Sequence, residues 1–160
     1  RLVPAAVSHT IGRARFAVSE RTPTVSTLAD AWREARQQEP GFAGVEWNEV
    51  VEVETTTLDA LIAAHGLPVF VKLDIEGGEA AALAGLSQPV RTVSFEFLPQ
   101  ALEAVRACGA RLDQLGAYRY NYTPAESHRL AAPEWTTLDV LLERLATETR
   151  HGDVYATLAP

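Results

Sequence analysis

The stretch from Val69 to Phe97 limits the fold of this chain more than any other. Val69-Phe70-Val71-Lys72-Leu73 has the composition of a buried strand. Asp74-Ile75-Glu76-Gly77-Gly78-Glu79 follows as a turn, and an alanine-rich helix then runs through Leu86. Pro89 stops that helix ahead of a second strand, Val93-Ser94-Phe95-Glu96-Phe97. Strand, glycine turn, helix and strand in this order predict a right-handed βαβ crossover in a parallel sheet.

Leu2 to Val7 is a short apolar run and Ala14 to Val18 alternates, with Gly12 between them as a hairpin signal. Ser26 to Gln38 carries Leu28, Ala31, Trp32 and Ala35 at helical spacing, and Pro40, Gly41 and Gly44 then make a loop. Val50 to Glu54 alternates valine with glutamate, as a half-exposed strand does. Thr57 is a suitable N-cap for a helix with Leu58, Leu61 and Ile62 on one face, closed by Gly66. Beyond the crossover, Pro99 suits a first helical position, and Leu102, Val105, Leu112 and Leu115 share a face. Tyr118, Tyr120 and Tyr122 alternate as in a strand whose aromatic face packs. A helix with Leu138, Leu141, Leu142 and Leu145 precedes a terminal strand from Asp153 to Leu158. The expectation is one α/β domain over residues 1–160, a sandwich with an antiparallel element near its end.

Composition removes several classes of function. With 47% hydrophobic residues the chain can build a core, so disorder is excluded as its main state. No apolar run approaches the ~18 residues a membrane span requires. Fourteen basic against 21 acidic residues give a net charge of -7, which repels phosphate backbones and argues against a nucleic-acid partner. The single cysteine, Cys108, has no internal disulfide partner; it reads as a small buried hydrophobe and favours a reducing, cytoplasmic compartment. There is no methionine, and Arg1-Leu2-Val3-Pro4 does not open a signal peptide, so the chain reads as a fragment.

Ligands of open α/β sheets collect beyond the carboxyl ends of the strands. Asp74, Glu76 and Glu79 crowd the end of the first crossover strand, and Glu96 lies near the end of the second. Lys72 shares a strand face with Asp74 and calls for an acidic partner, Asp74, Glu76 or Glu96. Glu79 is read as a structural acid at a helix N-terminus, whereas Asp74 and Glu76, beside a double glycine, are read as functional. His128, in Glu126-Ser127-His128-Arg129, is a candidate base or substrate contact. His9, His65 and His151 sit beside turn signals and are expected in solvent; the histidines are too scattered for a zinc site. Gly-x-Gly-x-x-Gly and Walker loops do not occur.

The run Lys72-Leu73-Asp74-Ile75-Glu76-Gly77-Gly78-Glu79, preceded by Thr57-Leu58-Asp59, resembles the FkbM-type family of S-adenosylmethionine-dependent methyltransferases. Pro4-Ala5-Ala6-Val7-Ser8, Val93-Ser94-Phe95-Glu96 and Gly152-Asp153-Val154-Tyr155-Ala156 extend the resemblance in the expected order. It implies a class I methyltransferase-like (Rossmann-like) sheet flanked by helices, mostly parallel with an antiparallel C-terminal strand. The first two strands, with the glycine-rich cofactor turn and the ribose-binding acid, are missing, and their place lies between the Leu2–Val7 and Val69–Leu73 strands. The resemblance therefore implies a gap in the sheet and weak cofactor binding by this chain alone. It further implies S-adenosyl-L-methionine as cofactor, held in part by Ala6, Val7 and Asp74. The acceptor would be the hydroxyl of a small molecule or glycan, with Asp74, Glu76, Glu96 and His128 at the catalytic centre. Three other readings remain open: a non-catalytic interaction module or remnant, a magnesium-dependent O-methyltransferase using Asp74 and Glu96, and a metal-dependent hydrolase.

Overall fold

A computed structural model describes residues 1–125 and 127–159; Glu126, in the loop that carries His128, lies outside them. Among the described residues, seven strands form two sheets. In the first, β1 (Ala6–Val7), β3 (Glu49–Thr56) and β2 (Gly12–Val18) lie in that order, with β1 parallel and β2 antiparallel to β3. In the second, the order is β4 (Phe70–Leu73), β5 (Thr92–Phe97), β7 (Gly152–Leu158) and β6 (Tyr118–Pro124). Here β4 and β5 are parallel, and β7 runs antiparallel to both β5 and β6. The helices are α1 (Asp30–Arg36), α2 (Leu58–His65), α3 (Glu79–Ala84), α4 (Leu102–Leu115) and α5 (Leu138–Leu145).

The crossover forms as its sequence requires. β4, the acidic turn, α3 and β5 follow one another, and Leu73 pairs in parallel register with Phe95. Thr57 accepts a hydrogen bond from the Ala60 amide (3.1 Å) and caps α2, while Gly66 closes that helix at φ 89. The core lies on one face of the second sheet. Leu73, Val93, Phe95, Phe97, Val154 and Ala156 meet Leu83 of α3, Leu112 of α4 and Leu141 and Leu145 of α5. Tyr120 is fully buried and its hydroxyl donates to the Asp113 carboxylate at 2.7 Å, so the tyrosine stripe is packing. Cys108 is buried.

Several expectations are corrected. Both sheets are mixed: among the described residues three of the five strand pairings are antiparallel, so neither sheet is mostly parallel there. Ala6–Val7 and Gly12–Val18 do not pair as a hairpin; β3 comes between them, with Thr55 and Thr56 paired to β1 and the whole of Glu49–Thr55 paired to β2. The helix expected over Ser26–Gln38 begins only at Asp30. Thr27 is drawn instead into a bridge with Ala17, and its hydroxyl caps the Ala29 amide. Pro99 opens a 3-10 turn, and α4 starts at Leu102. Strand β4 is not buried on both faces, for Phe70 is 49% exposed and Lys72 is also exposed. Lys72 reaches Asp153 at 2.8 Å and Asp74 at 3.4 Å, not Glu76 or Glu96. Burial works against its charge, but the two carboxylates outweigh that and raise its pKa.

The sheets do not join at β1 and β4. Between those strands runs an apolar groove of about 420 Å³ lined by Val3, Val7, Leu61, Ile62 and Val71, with Val69 exposed beside it. Strand edges that present unpaired amides and carbonyls can pair with further chain.

Candidate active site

The site begins with the sequence Asp74 to Glu79, forced into a tight turn between β4 and α3. Glu76 adopts φ 51 and Gly77 φ 88. For a glutamate that conformation costs about 1–3 kcal/mol and survives only where surrounding contacts hold it. The Thr27 hydroxyl donates to the Glu76 carbonyl at 2.7 Å, and the Glu79 carboxylate accepts from the Ile75 amide at 3.0 Å. Trp32 lies directly over Gly77, where any Cβ would overlap its ring. Glu79, buried at the start of α3, thus fixes the turn.

Because β4 and β5 are adjacent and parallel, their ends bring three carboxylates together. Asp74, Glu76 and Glu96 each place an oxygen within 4.8 Å of the other two. Desolvation, then repulsion from Asp74 and Glu79, raises the Glu76 pKa to about 7, although Arg36 opposes the shift. Desolvation, then Glu76, Asp74, Glu79 and Asp153, raises Glu96 to about 8. Carboxyl groups with such values exchange protons near neutral pH, as general bases must. Three oxygen donors at this spacing are also of the type that a magnesium ion takes. An acidic cluster alone does not establish a metal centre.

Two cavities meet at Glu76. One, of about 320 Å³, is lined by Ala6, Val7, Phe16, Leu28, Asp74 and Ile75 as well as Glu76. The other, of about 770 Å³, is lined by Trp32, Phe42, Glu39, Glu96, Gln100 and His151 together with Glu76. The structure thus gathers Ala6, Val7 and Asp74 around one space and places Glu76 and Glu96 on another. His128 is exposed at φ 51 and lines neither. The histidine at the site is His151, whose Nδ1 lies 4.0 Å from Glu96 Oε1.

Trp32, Phe42 and His151 were not legible as site residues. Trp32 and Phe42 come from the 30-residue connection between β2 and β3, where Trp32, Phe42 and Trp47 cluster with ring centroids 5.7–6.5 Å apart. That connection holds α1 and two 3-10 turns, so nothing local in it marks these rings as site residues.

The family model of the methyltransferase FkbM domain matches residues 1–129, which include β1 to β6, α1 to α4 and the whole acidic turn. No curated protein sequence matches the chain significantly. With most of its length under that one model, the chain belongs to the methyltransferase FkbM domain family.

Proposed function

We propose that the chain carries the catalytic half of an S-adenosylmethionine-dependent O-methyltransferase, with donor and acceptor meeting at Glu76. The observation that carries this reading is the shared wall. Glu76 borders both the Ala6–Val7–Asp74 cavity, suited to the donor, and the Trp32–Glu96–His151 cavity, suited to the acceptor. The smaller cavity fits part of such a cofactor: Val7, Phe16, Leu28 and Ile75 offer apolar walls, and Asp74 and Glu76 offer negative charge to a cation. At about 320 Å³ it lies at the low end for a small-molecule site. When bound, S-adenosylmethionine supplies an electrophilic methyl group on a cationic sulfur, and the sulfur departs as a neutral thioether.

The chain's own residues then have defined tasks. In its deprotonated form, populated as pH rises toward its pKa of about 8, Glu96 would take the proton of the acceptor hydroxyl. Asp74 and Glu76 hold the positive charge at the boundary, and the Trp32 wall orients the acceptor for in-line approach. The open groove between β1 and β4 supports the reading that further strands complete the sheet and the cofactor cradle, in a Rossmann-like arrangement. Without them, cofactor binding is weak. The lone cysteine supports a cytoplasmic setting. The magnesium-dependent variant is favoured only by the spacing of Asp74, Glu76 and Glu96, and predicts transfer that a chelator abolishes.

Calorimetric titration with S-adenosylmethionine and its neutral thioether product, S-adenosylhomocysteine, tests the reading. The sulfonium should bind more tightly, and Asp74→Asn should erase the difference. Equal affinities in the unmodified chain, or no binding of either, would contradict it.

A further inference from the structure

The larger cavity has a composition that narrows its ligand. One wall is aromatic: Trp32 and Phe42 meet edge to face with centroids 5.7 Å apart. The other is acidic, with Glu76 and Glu96. Two cations lie nearby, and Arg36 keeps its Nε and Nη1 buried without a hydrogen-bond partner. Arg36 is buried against Trp32, 5.8 Å from its ring, and pairs with Glu39 at 2.8 Å. Lys72 is held by Asp153 and Asp74. Among the described residues, Glu96 has only His151 at 4.0 Å, and Glu76 has no ion-pair partner. Two carboxylates and two aromatic rings line one cavity of about 770 Å³, with the Arg36 charge acting on Glu76 and no lysine or arginine paired with Glu96 among the described residues, and such a lining complements an organic cation. Aromatic faces attract ammonium groups, and carboxylates add charge-assisted contacts. The same walls repel phosphate and carboxylate ligands.

We propose that this cavity takes an acceptor bearing both a hydroxyl and an ammonium group, the ammonium seated between the Trp32–Phe42 wall and the carboxylates of Glu76 and Glu96. The assignment rests on the methyltransferase reading for the role of the site and adds the chemical class of the acceptor. Glu76 borders both cavities and serves both charges, whereas Glu96 does not line the smaller cavity and serves the acceptor alone. Neutral hydroxylated molecules of the same shape gain the apolar contacts but leave the carboxylates uncompensated.

The test uses the whole 160-residue chain and a matched pair of probes: choline, a hydroxyl-bearing cation with permanent charge, and 3,3-dimethylbutan-1-ol, its uncharged isostere. Binding is followed at pH 8 and constant ionic strength through tryptophan fluorescence, to which Trp32 contributes from the cavity wall. Choline should saturate the signal at least ten-fold more tightly than the alcohol. Glu96→Gln should remove that preference, and Phe42→Leu should weaken choline while leaving the fold's far-ultraviolet dichroism unchanged. Equal affinities, or a preference that survives both substitutions, would overturn the assignment. If the choline preference is absent while S-adenosylmethionine still binds, the acceptor class alone is wrong. If the preference holds while S-adenosylmethionine fails to bind, the cationic site stands and the methyltransferase reading falls.

Discussion

Glu76 concentrates the cost of the site. It combines a left-handed backbone with a half-buried carboxyl crowded by Asp74, and its carbonyl and neighbours are pinned by Thr27 and Glu79. Glu76 and Glu96 have folded pKa values of about 7 and 8 against an ordinary 4.5. The folded chain therefore holds protons that the unfolded chain releases. Their contribution to stability is present below about pH 4.5 and is lost as pH rises through 7 to 8. Glu76→Asn removes one of these groups, and asparagine tolerates the left-handed region. The variant should melt above the parent at pH 8, with the gap narrowing toward pH 4.5, while methyl transfer falls; a lower melting temperature at pH 8 would count against this account. Gly77→Ala acts in the opposite direction. A Cβ at φ 88 meets the Trp32 ring, so a loss of about 1–3 kcal/mol in denaturant unfolding, with a shift in tryptophan emission, is expected. The acids and the double glycine were legible from their place at a strand end. The strain at Glu76 and the Trp32 lid were not, because no local pattern records which distant ring will cover a turn.

At the scale of elements, what could be read was whatever local chemistry decides. The α2 cap at Thr57, the βαβ crossover and the apolar faces of α4 and α5 all follow from residue spacing. Helix α5 shows the point: Leu141 is fully buried and Val140 is 37% exposed, one residue apart. Leu141→Ala should cost about 2–5 kcal/mol and Val140→Ala less than about 0.5 kcal/mol by denaturant unfolding; similar losses would mean the helix face is misassigned. Pairing partners were not legible. Gly12 signals a reversal of the chain, but the strand that fills the space between β1 and β2 is the distant β3, through Thr55 and Thr56 on one edge and Glu49–Thr55 on the other. The predominance of antiparallel pairing has the same origin, since β6 and β7 are placed by long-range packing of their tyrosine and valine faces.

At the scale of the whole molecule, the two sheets contribute different things. The first supplies Ala6 and Val7 and, through the β2–β3 connection, Trp32 and Phe42. The second supplies Asp74, Glu76, Glu96 and His151. In the proposed reaction centre these residues meet across Glu76. Amide chemical-shift mapping of the isotopically labelled chain during titration with S-adenosylmethionine should then show saturable, weak binding, with the largest shifts at Ala6, Val7, Asp74 and Ile75, all lost in Asp74→Asn. Shifts confined to other surfaces, or unchanged by Asp74→Asn, would contradict that arrangement.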